Sequence, residues 1–247
     1  MMKRLSIRGI RLENEGTKLF EEGSELEPLV RTVKELDSVL MNRTFVTRQN
    51  GNDPLYYMFR GVGSLTNRMF AEHEMRYDIT ILENYDLGGE LNKTIGHYHP
   101  TAEGDLAYPE VYEVFSGEAL FILQKRLSGS TVDLRLVRAS TGEKIMVPPN
   151  YGHIAVNMGD GFLITGNLSN SVYRSDYEPI KKMGGGAVYV LSDKTIVPNE
   201  AYENVQVPQI QKAPKTDFLG KESLYDQFLK DPEKFEFLSR PSLLFKD

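Results

Sequence analysis

The sequence has no cysteine. Disulfides, thiolate nucleophiles and cysteine-held zinc are therefore excluded. Any metal must be held by histidine and carboxylate, a donor set suited to Fe(II), Mn(II), Ni(II) or Zn(II). Histidine itself is scarce, with four in 247 residues. No run of about 18 apolar residues occurs, so no segment is expected to span a membrane. The opening stretch, MMKRLSIRGIRLEN, has charge but no apolar centre. No secretory signal is expected from it, and a cytoplasmic location is the default. Nor is there a basic excess: 29 Lys and Arg face 35 Asp and Glu, a net charge of −6. Such a surface repels phosphate backbones, so nucleic acid is not an expected partner. No internal repeat or low-complexity tract stands out. The glycine triplet at 184–186 lacks the Lys-Ser/Thr of a phosphate loop and reads as a flexible turn.

What is present is a series of short β-rich runs. DITIL (78–82), VYEVF (111–115), ALFILQ (119–124) and TVDLRLVR (131–138) are followed by KIMV (144–147), HIAV (153–156), FLIT (162–165) and AVYVL (187–191). Turn signals such as LGGE, SGE, STGE and MGDG separate many of them. Short strands at regular spacing predict an all-β sandwich or barrel. Two arms flank it. Residues 24–40 are predicted helical, from Ser24 and Glu27 as a capping box and Leu26, Val30, Val33, Leu36 and Leu40 at helical spacing. Beyond about residue 195 a polar, Pro-containing strap leads to a helical segment, 221–239, in which Asp231 and Pro232 restart a second helix. The division is an N-terminal arm (1–45), a β core (46–194) and a C-terminal strap with helices (195–247).

The chemistry concentrates in GHYHPTAEGDLAYPEVYEVFSGEA, residues 96–119. On a strand, residues two apart share a face, so His97 and His99 point the same way, as do Glu110 and Tyr112. His153 follows VPPNYG, a turn that opens another strand. An isolated His pair is usually a surface or core feature. A His pair followed by Glu, an aromatic strand, a Gly turn and a PP-x-x-x-H segment reads as a metal site. Three His and one Glu leave two positions of an octahedral ion open, the layout of a catalytic centre. His73, beside two glutamates in AEHEMRY, lies outside this pattern and is expected to be exposed.

These two segments resemble the paired motifs of the cupin superfamily. More narrowly, TIGHYHP…PEVYEVFSGEA and VPPNYGHIAVN resemble the cupin-type glucose-6-phosphate isomerases of archaea and some bacteria, with Pro148, Pro149, His153 and Asn157 on the second motif. The likeness runs over about 25–192. DPLYY matches a segment ending in a pocket tyrosine, Tyr57; DITIL puts Thr80 on a substrate-binding threonine; SDYEPI puts Tyr177 on a late pocket tyrosine. The loop between His99 and Glu110 is long and carries two acids that would bear on the substrate mouth. Ile95 stands where some members carry a basic residue.

The resemblance implies a double-stranded β-helix barrel, a homodimer, and one divalent ion on His97, His99, Glu110 and His153. Fe(II) comes first, with Mn(II), Ni(II) or Zn(II) as alternatives. It implies interconversion of glucose 6-phosphate and fructose 6-phosphate by hydrogen transfer between C1 and C2, through an enediolate or a hydride shift. Glu110 is then the candidate base, or a ligand, or each in turn, and Tyr112 a hydrogen-bond donor. Thr80, Thr94 and Gly96 are candidate phosphate contacts, with Tyr57 and Tyr177 closing a pocket that relies on neutral donors. The alternatives are an isomerase of a related sugar phosphate such as mannose 6-phosphate, an Fe(II)-dependent dioxygenase, and a non-catalytic sugar-binding cupin.

Overall fold

Strands form where β-branched and aromatic residues alternate. The computed structural model describes residues 7, 9–13, 17–64, 66–214 and 217–245. It opens with a small antiparallel sheet of β1 (Ile10–Glu13), β2 (Lys18–Glu21) and β3 (Ser24–Leu26). Then come β4 (Leu29–Thr32), the single turn α1 (Val33–Leu36), β5 (Pro54–Phe59), α2 (Met69–Glu72) and β6 (Met75–Leu82). A short hairpin, β7 (Thr101–Glu103) and β8 (Leu106–Ala107), precedes the central run. That run is β9 (Glu110–Ser116), β10 (Glu118–Arg126), β11 (Val132–Ser140), β12 (Lys144–Val147), β13 (Tyr151–Asn157) and β14 (Leu163–Asn170). The chain continues with α3 (Glu178–Lys182), the hairpin β15 (Val188–Val190) and β16 (Ile196–Pro198), β17 (Gln211–Lys212) and α4 (Leu224–Lys230).

The eight β-rich runs of the sequence form β6 and β9 to β15. All of them but β15 enter a six-stranded sheet, β12-β9-β14-β6-β5-β4, and a four-stranded sheet, β13-β10-β11-β17, while β15 pairs with β16 in a separate hairpin. The inner faces share one core: Leu55, Leu82 and Val114 from the first sheet meet Phe121, Val137 and Ala155 from the second. This is the double-stranded β-helix of a cupin.

Both sheets are also covered outside, which is why β13 and β14 are buried along their whole length. On the outer face of the six-stranded sheet, Tyr77, Ile79, Val111 and Ile164 pack against Phe228, Phe235 and Leu238 of the C-terminal segment. Each of those last three is fully buried, and such burial is worth roughly 1.5–3 kcal/mol per side chain. On the four-stranded sheet, Leu120, Ile122 and Val156 pack against Val188 and Val190.

Several expectations are corrected. The helix predicted over 24–40 is strand at Ser24–Leu26 and Leu29–Thr32. Pro28 disfavours helical geometry at Glu27, and β4 pairs with β5 as the edge of the large sheet. Helix appears only at Val33–Leu36 with a 3-10 turn to Val39, and the capping box is Thr32 with Glu35. Of the N-terminal arm, residues 1–6, 8 and 14–16 lie outside the described residues. Pro232 starts a 3-10 helix rather than an α-helix, and Asp231 makes no side-chain cap. His73 is half-buried, edge-on to Phe228 with centroids 6.0 Å apart. The Gly184–Gly186 turn is packed: a Cβ on Gly186 would lie 2.5 Å from Ile154 Cδ1. Among the described residues, no helix is long and apolar enough to cross a membrane.

Candidate metal centre

His97 and His153 face each other across an antiparallel bridge, His153 N donating to His97 O at 3.1 Å. Glu110 opens β9 with Tyr112 on the same face, as the two-residue period requires. The Nε2 atoms of His97 and His99 are 3.1 Å apart. Glu110 Oε2 lies 3.1 Å from His153 Nε2 and 3.4 Å from His99 Nε2. One donor atom from each of the four residues falls within 4.8 Å of all the others. Three imidazole nitrogens and a carboxylate oxygen this close fit a divalent transition-metal ion.

The surroundings orient these donors. His99 Nδ1 lies 2.8 Å from the Tyr108 carbonyl. A proton on Nδ1 leaves Nε2 with its lone pair toward the cluster. His153 Nδ1 is buried without a partner among the described residues. Asn167 Nδ2 donates to Glu110 Oε1 at 2.6 Å. Burial, then the neighbouring His153 and His99, holds His97 well below the ordinary histidine range. Burial also lowers His153. Neutral imidazoles are ready ligands, since no proton must leave first. Burial alone would raise Glu110, but hydrogen bonds to His153 and His99 hold it well below the usual carboxylate range. Burial and then Glu110 push Tyr112 well above the ordinary tyrosine range, so it keeps its proton. Its hydroxyl donates to Glu110 Oε2 at 3.2 Å and lies 3.0 Å from His153 Nε2.

His97, Glu110 and His153 of the cluster form one wall of a pocket inside the barrel. Thr80, Thr94, Gly96, Tyr112 and Tyr177 all line it. Tyr177 sits 5.3 Å from His97, ring to ring. Tyr57 does not line it. It faces the opposite side of β5, donates to Glu83 Oε1 at 2.9 Å and packs in the outer core. Its neighbour Tyr56 takes the inward position, because successive strand residues alternate faces. Neither acid of TAEGDLAY reaches the pocket, and Glu103 accepts from Ser242 N at 3.2 Å. Gly96 has φ of +81°, and a Cβ there would collide with Ile154. The Thr94 hydroxyl accepts from Ala155 N at 3.0 Å. Asn157 of the second motif is structural, its Nδ2 donating to Gly161 O at 2.8 Å.

Other pocket residues carry no motif. Arg60, Arg76, Asp78, Asn167 and Tyr173 line it too. Tyr173 Oη is 3.1 Å from His99 Nε2. Arg60 Nη1 and Arg76 Nε donate to Asp78 Oδ2 at 2.8 and 2.9 Å. Burial opposes the charge on Arg60, yet Asp78 beside it raises its pKa above the ordinary arginine value. The pocket is therefore not confined to neutral donors. Alternation along β6 was the available signal, since Arg76, Asp78 and Thr80 share one face.

The family model described as glucose-6-phosphate isomerase (GPI) matches residues 30–207. A glucose-6-phosphate isomerase of Thermococcus litoralis is 24% identical over 188 residues, covering 74% of this chain and 92% of that protein. One from Thermococcus onnurineus (strain NA1) is 26% identical over 156 residues, covering 63% and 76%. Among solved structures, an oxalate decarboxylase of Lactobacillus farciminis in complex with formate overlays with a TM-score of 0.37 at 17% identity, over 49% of this chain and 30% of that one.

Proposed function

The chain belongs to the glucose-6-phosphate isomerase family, and on that premise we propose that it interconverts glucose 6-phosphate and fructose 6-phosphate at the His97, His99, Glu110 and His153 centre. The observation that carries the reading is a cluster of four metal donors, three of which line one pocket together with Tyr112 and two arginines. The ion is a divalent metal, with iron(II) the first candidate. Bound there, it supplies Lewis-acid stabilisation of the oxygen charge that develops at C1 and C2.

The protein's own groups do the rest. Glu110 has two oxygens in different surroundings: Oε2 faces the imidazoles and Oε1 is held by Asn167. In the aldose-to-ketose direction, Glu110 takes the proton from C2 and returns it to C1. Tyr112 donates its hydrogen bond to Glu110 or to a substrate oxygen. Coordination weakens a carboxylate as a base, so Glu110 would serve as base through an oxygen that it does not give to the ion. Tyr56 and Tyr177 close the pocket around the sugar.

A coupled assay tests this. Fructose 6-phosphate is supplied and glucose 6-phosphate detected, before and after chelation and after return of Fe(II) or Mn(II). Activity that falls on chelation and returns with metal is expected. No turnover with any metal, turnover of mannose 6-phosphate alone, or oxygen consumption would overturn the reading. The same reading takes the protein to be a homodimer. In its support, the edge strand β4 leaves Leu29 and Val30 in solvent, 59% and 39% exposed. Light scattering at the mass of one chain would remove that part.

A further inference from the structure

We propose that Asn150 is a positioning residue for the metal centre: it fixes the hairpin whose Tyr108 carbonyl sets the tautomer of His99. The inference rests on the metal-centre part of the isomerase reading and is independent of the sugar.

His99 and Glu110 flank the hairpin of β7 and β8, and His153 stands three residues after Asn150. The half-buried Asn150 side chain joins these two segments, its Oδ1 accepting from Ala107 N at 2.9 Å. Ala107 is buried, and the carbonyl of the next residue, Tyr108, meets His99 Nδ1. Tyr108 N donates to Pro100 O at 3.1 Å, and its ring stacks on Tyr173 with centroids 4.8 Å apart. On the other side of Asn150 the chain runs to His153, whose N donates to His97 O. One path of bonds therefore links all three histidines through Asn150.

The backbone alone does not call for asparagine at this position. Tyr151 N donates to Pro148 O at 3.3 Å, Pro149 takes the second place of the turn, and Asn150 takes the third with φ of +69°. That is the pattern of a type II turn, whose third place favours glycine. Asparagine tolerates the conformation, and it adds an acceptor that glycine lacks. Asn150 does not line the pocket inside the barrel. It lines an outer cleft with His99 and Ala107. Its effect thus reaches the metal centre through the hairpin and not through the substrate.

A metal takes the lone pair of His99 Nε2 only when the proton sits on Nδ1. The Tyr173 hydroxyl does not enforce this. It lies 3.3 Å from Nδ1 and 3.1 Å from Nε2, and a hydroxyl both donates and accepts. A carbonyl only accepts, so Tyr108 O selects the Nδ1–H form. With the hairpin loosened, water in the cleft competes for that carbonyl, and Tyr173 can accept from Nε2–H instead.

The test uses metal-free protein carrying nitrogen-labelled histidine, whose long-range proton–nitrogen spectra report each tautomer. His99 should carry its proton on Nδ1 in the wild type and in Asn150→Asp, which keeps the oxygen. In Asn150→Gly, which keeps the turn, the Nε2–H form should appear, and affinity for Mn(II) should fall about tenfold. Asn150→Asp should retain the wild-type affinity. Circular dichroism and melting temperature check that both variants fold. An Nε2–H His99 in the wild type would overturn the assignment without any variant. So would an Asn150→Gly protein with the wild-type tautomer and affinity, or an Asn150→Asp protein as impaired as Asn150→Gly. A wild type that binds no Mn(II), or turns over no sugar phosphate, would remove the metal or the isomerase reading, while the tautomer comparison still decides the role of Asn150.

Discussion

Asn167 and Glu110 form a 2.6 Å hydrogen bond that divides the carboxylate between two duties. Asn167 holds Oε1, so Oε2 is aimed at the imidazoles. Support of this kind for a ligand is commonly worth 10–100-fold in metal affinity. Asn167→Ala should therefore weaken metal binding by roughly 10–100-fold. Titration of the metal-free protein, with kcat measured at saturating metal, would show it. Unchanged affinity would mean that Glu110 holds its position without help.

Glu110→Gln removes both the charge and the basic oxygen. Turnover should drop by more than about tenfold, the scale of general acid–base contributions. Metal content measured in parallel separates a lost ligand from a lost base. In deuterium oxide, a proton carried by Glu110 exchanges with solvent, and product should gain deuterium at the migrating position. Product free of deuterium would instead mark a hydride shift.

Tyr56 and Tyr57 provide a test of strand phase. Tyr56→Phe should raise KM by about fivefold, the worth of ~1 kcal/mol of hydrogen bonding. Tyr57→Phe should leave KM unchanged, since that hydroxyl meets Glu83 outside the pocket. The reverse pattern would put β5 one residue out of register.

Glu113 sets a pH dependence of stability. It lies on the outward face of β9, where burial raises its pKa to about 7 against the lowering effects of Tyr77, Lys144 and Leu224 N. The folded state then holds a proton that the unfolded chain releases near the ordinary value of 4.5. Stability from this group is greatest below that value and falls as pH rises toward about 7. Melting temperatures between pH 5 and pH 8 should decline, and Glu113→Gln should flatten the slope. An equal slope in the variant would assign it to another group.

The metal donors were legible because their grouping follows from local rules: two histidines two residues apart, and a glutamate opening an aromatic strand. The β core was legible for the same reason, from alternation and turn residues. Arg60 and Asp78 were not, because only the pairing of β5 with β6 brings them together. Tyr57 shows the limit of matching a segment without its phase, since a shift of one residue exchanges the two faces of a strand. The stretch at 24–40 misled because its apolar spacing fits a helix, while its pairing as a sheet edge depends on a strand more than twenty residues away.

The bond from Leu224 N to Glu113 Oε1, 3.0 Å long, links the C-terminal segment to the strand whose other side carries Glu110 and Tyr112. That segment is consequently part of the scaffold behind the metal-donor cluster rather than an appendage. Tyr77, Ile79, Val111 and Ile164 behind the site are roofed by its aromatic side chains. Removing it would strip the rear wall and turn a dry surface into a sticky one.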